Sequence, residues 1–104
     1  MVAYEVTVTV HDAQRSAEYE AWLRSTHIPD IMKTGCFTAA ELSRESPTRF
    51  RTRYLATDRS MLERYFVEYA PALRADTIAK FGELSTPHRD VWEIVAEWKA
   101  PSTP

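Results

Sequence analysis

The stretch WLRSTHIPDIMKTGCF, residues 22–37, joins the end of an amphipathic helix to a proline break. Tyr19, Leu23 and His27 follow one another at intervals of four residues, so they lie along one face of a helix. Pro29 disfavours helical backbone at the residue before it, and the helix is therefore predicted to break near His27. A short second helix is predicted to follow, with the proline in its first turn.

The flanking sequence supplies the pattern of a small mixed domain. Asp12 and Asp58 are typical N-caps, and each precedes a segment with an amphipathic helical stripe. Pro71 is predicted to interrupt the second of these helices, and Pro87 is predicted to lie in a loop. Alternating apolar and polar side chains, bounded by turn residues, indicate strands. The predicted strands span residues 2–11, 36–44, 49–57 and 91–98.

The order strand, helix, strand, strand, helix, strand is that of the ferredoxin-like α+β fold. This βαββαβ plan predicts a four-stranded antiparallel sheet in the order 4-1-3-2, with both helices on one face. The helix side of the last two strands is predicted to carry Phe50, Thr52, Tyr54, Ala56, Trp92, Ile94, Ala96 and Trp98. The other side is predicted to carry Glu5, Thr7, Thr9, His11, Arg51, Arg53, Glu93 and Glu97.

That second face is polar and has no covering element within the predicted fold. Glu5 and Arg53 are predicted to pair across neighbouring strands. A polar face of this kind is compatible with simple solvation. Opposed Glu and Arg residues also suit a two-fold interface, so a homodimer through the sheet face is predicted.

Length and charge limit the possible classes of protein. The 104 residues allow one domain, predicted at residues 1–98, and residues 99–104 are predicted to form a flexible tail. The net charge of −2 supplies no basic field for nucleic acid or anionic lipid, and no apolar run has membrane-spanning length. Cys36 is the single cysteine, so an internal disulfide is excluded, and a cytoplasmic location is expected.

Four segments together resemble a known family: YEVTVTV, WLRSTHIPDIMKTGCF, YAPALRADTIAKFG and HRDVWEI. The chain resembles, over about residues 3–95, a small bacterial family known only as a domain of unknown function and placed in the dimeric α+β barrel superfamily. The resemblance implies a ferredoxin-like fold and a homodimer in which two sheets face each other. Other members of the superfamily include cofactor-independent monooxygenases, cyclases, isomerases and haem-dependent enzymes. Since the family has no assigned reaction, the resemblance transfers architecture more safely than chemistry.

His27 is the first candidate for a functional side chain. A half-buried imidazole near a helix break suits a general acid or base. Tyr54 is predicted to supply a second polar group, and four aromatic residues are candidates for the wall of a pocket for a planar ligand. These candidate substrate-binding residues are Tyr19, Trp22, Phe66 and Trp92. Core packing explains the same pattern equally well, with His27 bonded to a freed backbone carbonyl and the aromatic rings filling the interior.

Other cofactor chemistry has little support in the sequence. His11 and His88 are predicted to lie at the surface, and no HxH or HExxH element is present. Cys36 is predicted to be a small buried hydrophobe. Two glycines supply no phosphate-binding loop. No metal or cofactor is therefore predicted, although haem ligation by His27 or His88 stays open.

Three functions remain open at this point. The first is a cofactor-independent enzyme that transfers a proton on a hydrophobic carbonyl or aromatic substrate, as a cyclase, an isomerase or a monooxygenase-like protein. The second is a non-catalytic dimer that binds a small ligand or a protein. The third is a haem-binding protein. A cavity with His27 in its wall favours the first, and a filled core with His27 bonded to backbone favours the second.

Overall fold

A computed structural model describes residues 1–102 and shows one antiparallel sheet with helices on one face. The strands are β1 (Val2–Val10), β2 (Ala39–Ser46), β3 (Arg49–Ala56) and β4 (Ser85–Glu93). The helices are α1 (Ser16–Trp22), α2 (Ile28–Met32), α3 (Arg59–Arg64) and α4 (Ala70–Phe81). The strand order β2-β3-β1-β4 confirms the predicted ferredoxin-like α+β fold. Residues 103 and 104 of the predicted tail lie outside the described residues. Among the described helices, none combines the length and apolarity that a membrane crossing requires.

The register of β1 confirms its predicted alternation. Tyr4 lies opposite Tyr54 on the helix side, whereas Glu5 lies opposite Arg53 on the side without helices, called here the open face. Arg53 Nε lies 3.7 Å from Glu5 Oε2, so the two groups form an ion pair that is too long for a hydrogen bond. Arg51 lies opposite Thr7 on the same open face, as predicted.

The predicted position of β4 is wrong. The strand spans Ser85–Glu93, and Pro87 lies within it, opposite Val8. An edge strand tolerates proline because only one of its sides needs backbone donors. The polar sequence of β4 shows no clear alternation, so the apolar residues after it dominated the pattern. Residues 94–98 lie beyond the strand, and the backbone N–H of Ile94 donates to the carbonyl of Met1 at 3.0 Å.

This shift reverses several predicted side-chain directions. Trp92 lies opposite Ala3 on the open face and is 60% exposed, so it does not face the helices. Trp98 is exposed beyond the strand, and the same segment contains Ile94, Ala96 and Glu97. Glu93 lies opposite Val2, on the helix side rather than the open face. His11 follows the end of β1, where its Nε2 lies 2.6 Å from Thr86 Oγ1.

The hairpin is also shorter at its start than predicted. β2 begins at Ala39, so Cys36 and Phe37 are buried before the strand rather than within it. At the other end the strand continues to Ser46, which leaves Pro47 and Thr48 as the turn. A register irregularity between Arg44 and Ser46 accommodates this tight connection.

The predicted helix break near His27 is replaced by a wide turn. A π-helical segment, Leu23–His27, leads directly into α2, and a second one, Tyr65–Tyr69, leads directly into α4. In each case a proline follows two residues after the π segment, at Pro29 and Pro71. Proline lacks the N–H that an α-helix needs and its ring crowds the preceding turn, so a wider turn lets the helical path continue.

The interior consists of two apolar clusters on the helix side of the sheet. One cluster includes Tyr4, Tyr54 and Leu62, and the other includes Tyr19 and Phe81. Val6 on the central strand contacts both clusters and is only partly buried. The space between the two clusters is therefore not completely filled by side chains.

Leu62 is 1% exposed, so its truncation tests the first cluster. We expect Leu62→Ala to lower the free energy of unfolding by about 2–5 kcal/mol, because it removes buried methyl groups and leaves a cavity. Urea denaturation followed by circular dichroism measures the change. Val67→Ala is the control, since Val67 is 78% exposed and its truncation is expected to change stability by about 0.5 kcal/mol or less. Equal effects of the two variants would contradict this assignment of the core.

Candidate functional site

A cavity of about 340 Å³ lies between the helices and the sheet, in the space that separates the two apolar clusters. Its volume is within the range of small-molecule binding sites. The floor comes from β1, β3 and β4, and the walls come from α1, α2, α4 and the π-helical segments Leu23–His27 and Tyr65–Tyr69. The side chains of the lining that carry a polar group are those of Tyr4, Tyr19, His27, Thr52, Tyr54, Tyr65, Arg74, Thr77, Ser85 and Arg89. Within the described residues, no carboxylate side chain lines the cavity.

α4 forms one wall along its length. Leu73, Arg74, Thr77 and Ile78 lie on one helical face, since they are spaced by one, three or four residues. Ile78 contributes to the lining and is nevertheless 66% exposed. The cavity is therefore open to solvent along this side of α4.

His27 enters the cavity from the first π segment. Its ring stacks on that of Trp22, with ring centroids 4.6 Å apart and an interplanar angle of 18°. Burial lowers the pKa of the imidazole below its ordinary value, and the carboxylates of Asp30 and Asp76 oppose this shift. Within residues 1–102, the ring forms no hydrogen bond of the kind expected for a purely structural histidine. His27 is thus a neutral imidazole with free hydrogen-bonding capacity at neutral pH.

Tyr54 contributes a hydroxyl from the floor of the cavity. Its side chain is 2% exposed, and burial raises the pKa of the phenol far above its ordinary value. Burial also raises the pKa of Tyr65 and of Tyr19. These phenols therefore keep their protons at physiological pH, and they serve as hydrogen-bond donors rather than bases.

The structure brings three of the predicted site residues together in the cavity lining: Tyr19, His27 and Tyr54. Trp22 lies behind His27 as its stacking partner. Phe66 packs edge-on against Tyr4 in the first cluster, with centroids 5.1 Å apart. Trp92 lies on the opposite face of the sheet from the cavity, so its predicted role in the pocket wall has no geometric support.

Two arginines of the lining, Arg74 and Arg89, are absent from the site residues predicted from the sequence. Arg74 directly follows Leu73 and precedes Thr77 by about one helical turn, and both of these residues also line the cavity. That spacing was a usable signal. Arg89 had no such signal, because the strand that carries it was placed too late in the chain.

The remaining candidate residues lie away from the cavity. His88 Nε2 lies 3.3 Å from Asp90 Oδ2 on the open face. Cys36 is a buried free thiol. Over the part of the chain that the structure describes, no group of three or more His, Cys, Asp or Glu residues is arranged to hold a metal ion.

Comparison with known families gives the chain its classification. The profile of a family described as "Domain of unknown function (DUF4286)" matches residues 1–95. The chain belongs to the DUF4286 family. The family resemblance drawn from the sequence is thereby confirmed. Among proteins with curated functions, none matches this DUF4286 sequence significantly.

Solved structures with the same fold include an enzyme and proteins without a stated activity. SnoaB, a cofactor-independent oxygenase from Streptomyces nogalater, is 19% identical with a TM-score of 0.72, over 97% of each chain. NE2512, a protein of unknown function from Nitrosomonas europaea, is 21% identical with a TM-score of 0.71, over 98% of this chain and 95% of the other. A dimeric ferredoxin-like protein from an uncultured marine organism is 11% identical with a TM-score of 0.69, over 96% and 100% of the two chains. At these identities the likeness establishes the fold of the DUF4286 chain and not its chemistry.

The burial of His27 leads to a testable titration. We expect nuclear magnetic resonance of the imidazole to give a pKa below the ordinary value of 6.5. Between the lowered folded-state pKa and the ordinary unfolded-state value, the unfolded chain binds more protons, so the free energy of unfolding rises with pH in that window. His27→Gln is expected to remove this part of the pH dependence. A pKa of 6.5 or higher for His27 would contradict the desolvated environment.

Proposed function

We propose that this protein is a cofactor-independent enzyme that transfers a proton on a hydrophobic carbonyl or aromatic substrate bound in the cavity between helices and sheet. One observation carries the proposal: a neutral imidazole, free of protein hydrogen bonds, lies in the wall of a largely apolar cavity that also contains buried phenols. The fold it shares with SnoaB, described as a cofactor-independent oxygenase, supports the same class of enzyme.

His27 acts as the general base in this proposal. A desolvated imidazole with a lowered pKa is unprotonated at neutral pH, so it can accept a proton from a carbon next to a carbonyl group. The electron pair of the broken C–H bond moves onto the substrate and generates an enolate. Stacking on Trp22 holds the plane of the ring, because rotation of the imidazole would break a contact of 4.6 Å between centroids.

Tyr54 acts as a hydrogen-bond donor to the enolate oxygen. Its raised pKa keeps the phenol protonated, and the low polarity of the surrounding cluster strengthens a hydrogen bond to a developing negative charge. Return of the proton to another atom completes an isomerisation. Attack of the enolate carbon on a second carbonyl, whose oxygen then takes the proton back from His27, completes a cyclisation, and transfer of an electron from the enolate to dioxygen begins an oxygenation.

A small enolisable aromatic ketone tests this function. We expect the protein to accelerate the exchange of the benzylic hydrogens of 2-tetralone for deuterium in buffered D₂O, measured by proton magnetic resonance. His27→Gln is expected to lower the enzymatic rate by about a hundredfold or more because it removes the base. Tyr54→Phe is expected to lower it by about a hundredfold because it removes the donor to the oxygen.

His11→Gln is the matched control, since His11 lies outside the cavity and its replacement is expected to leave the exchange rate unchanged. Binding of the ketone without any acceleration would contradict catalysis and favour a non-catalytic binding module. A His27→Gln variant that keeps full activity but melts several degrees lower would contradict the base and favour a structural histidine.

We also propose that the protein forms a homodimer through the open face of the sheet. Half-buried Arg53 of β3 lies between Glu5 of β1 and Glu41 of β2, and exposed Arg51 follows on the same face, an arrangement of both charges that a two-fold axis can match with itself. Apolar side chains are also exposed in the single chain: Trp92 on this face is 60% exposed, and Val95 and Trp98, which lie beyond β4, are 87% and 88% exposed. The radius of gyration is 15.0 Å, whereas about 13 Å is typical of a chain of this length. An extended, partly apolar C-terminal segment is therefore available to contact a second copy.

The dimer is tested by mass in solution. We expect sedimentation equilibrium at micromolar concentration to return twice the 12.0 kDa mass of one chain. Arg51→Glu, which reverses a charge on the open face, is expected to weaken the association because it opposes like charges. Arg59→Glu on α3 makes the same change outside that face and is expected to leave the mass unchanged. A monomer at all concentrations would contradict the interface.

A further inference from the structure

We infer that the ligand of the cavity is an aromatic carboxylate, whose anionic group is held by Arg74 and Arg89. The inference rests on the proposed function for the location of the ligand and extends it to the chemical class of the substrate. Two features of the molecule carry it: the position of the two arginines and the absence of any neutralising carboxylate in the cavity lining of the described residues.

The two guanidinium groups come from different elements of the fold. Arg74 belongs to α4, which forms a wall, and Arg89 belongs to β4, the edge strand of the floor. The register places Arg89 opposite Val6, on the helix side of the sheet. The helix and the edge strand thus present one cation each to the same cavity.

Neither arginine has a carboxylate partner within the described part of the chain. Six other arginines form ion pairs there: Arg15, Arg24, Arg44, Arg49, Arg53 and Arg64. Arg74 contacts an aromatic ring instead, since its guanidinium carbon lies 6.0 Å from the centroid of Phe66. Such a contact orients the guanidinium plane while it leaves the N–H donors available.

The positive charges of Arg74 and Arg89 act on ionisable side chains that line the cavity. Arg74 and Arg89 both act to lower the pKa of the Tyr65 phenol, although burial outweighs them and raises it. Arg89 acts in the same direction on Tyr19. The two guanidinium groups therefore influence the same part of the cavity. The low polarity of the surrounding side chains strengthens their attraction for an anion.

The remaining lining determines the body of the ligand. Val6, Val8, Leu73 and Pro87 give the cavity an apolar surface that suits a flat hydrocarbon ring system. A guanidinium offers two parallel N–H donors that match the two oxygens of a carboxylate. An aromatic acid places its rings on the apolar surface and its charge at the arginines, and an uncharged aromatic molecule leaves both cations unmatched.

Naphthoate and naphthamide form a matched pair of probes, because they share the ring system and differ in charge. Isothermal titration calorimetry of the purified protein is expected to give at least tenfold tighter binding of naphthoate. Arg74→Gln and Arg89→Gln are each expected to weaken naphthoate binding about tenfold, which is typical of the loss of one charge-assisted contact. Both variants are expected to bind naphthamide as the unchanged protein does, which also shows that they are folded. Added salt is expected to weaken naphthoate binding and to leave naphthamide binding unaffected.

Arg59→Gln is the control for a general change of charge, since Arg59 lies outside the cavity, and it is expected to change neither affinity. Equal affinities for naphthoate and naphthamide would overturn the carboxylate inference and leave the proposed hydrophobic site intact. A preference for naphthoate that survives in the Arg74→Gln, Arg89→Gln double variant would overturn the assignment to these arginines. Failure of both probes to bind would overturn the inference together with the proposed aromatic-binding site.

Discussion

The alternation of side chains along β1 is the constraint on which the rest of the structure depends. β1 lies between β3 and β4, so its residues from Val2 to Thr9 are fixed in register from both sides. The side chains of Tyr4, Val6 and Val8 must point to the helix side. Those of Glu5 and Thr7 must point to the open face. A shift of one residue would bury Glu5 among aromatic rings and expose Tyr4, which makes alternative registers costly.

Each of the two prolines, Pro29 and Pro71, follows a π-helical segment that contributes to the cavity lining. The path from α1 to α2 and the path from α3 to α4 each continue past a proline across the sheet. Each does so through a wide turn, Leu23–His27 or Tyr65–Tyr69. Both wide turns supply side chains to the cavity lining, including His27 and Tyr65. In both helices the wide turn thus carries a side chain with a polar group, His27 or Tyr65, that lines the cavity.

The parts of the structure that were predictable from sequence are those in which a single periodicity dominates. β1 alternates cleanly because one of its faces is core and the other is open, and the amphipathic stripe of the first helix correctly places Tyr19, Leu23 and His27 inward. β4 was misplaced because its helix side borders an open cavity rather than a filled core. A strand with Arg89 and Pro87 on its inner side carries no hydrophobic signal.

The candidate site was predictable to a similar extent and for related reasons. His27 was identified because a polar residue on an apolar stripe stands out against the pattern. Tyr54 was identified because side chains alternate between the two faces of β3, as they do along β1. It lies opposite Tyr4 on the helix side. Arg89 needed the correct register of β4, and Trp92 was assigned to the wrong face by the same error. Sequence patterns therefore locate a site where it interrupts a regular element, and they fail where the element itself has no pattern.

The sheet also separates the two proposed activities of the molecule from each other. The cavity lies on the helix side, and the proposed interface lies on the open face, so neighbouring residues of β1 such as Tyr4 and Glu5 point to different sites. Coupling between dimerisation and the cavity has to pass through the backbone of β1 and β4, since the side chains of the two faces do not meet. Energetic coupling between two sites requires an element with two discrete arrangements, and the regular pairing of β1 with its neighbours offers a single register, so the chemistry of the cavity and the association of the chains are expected to vary independently.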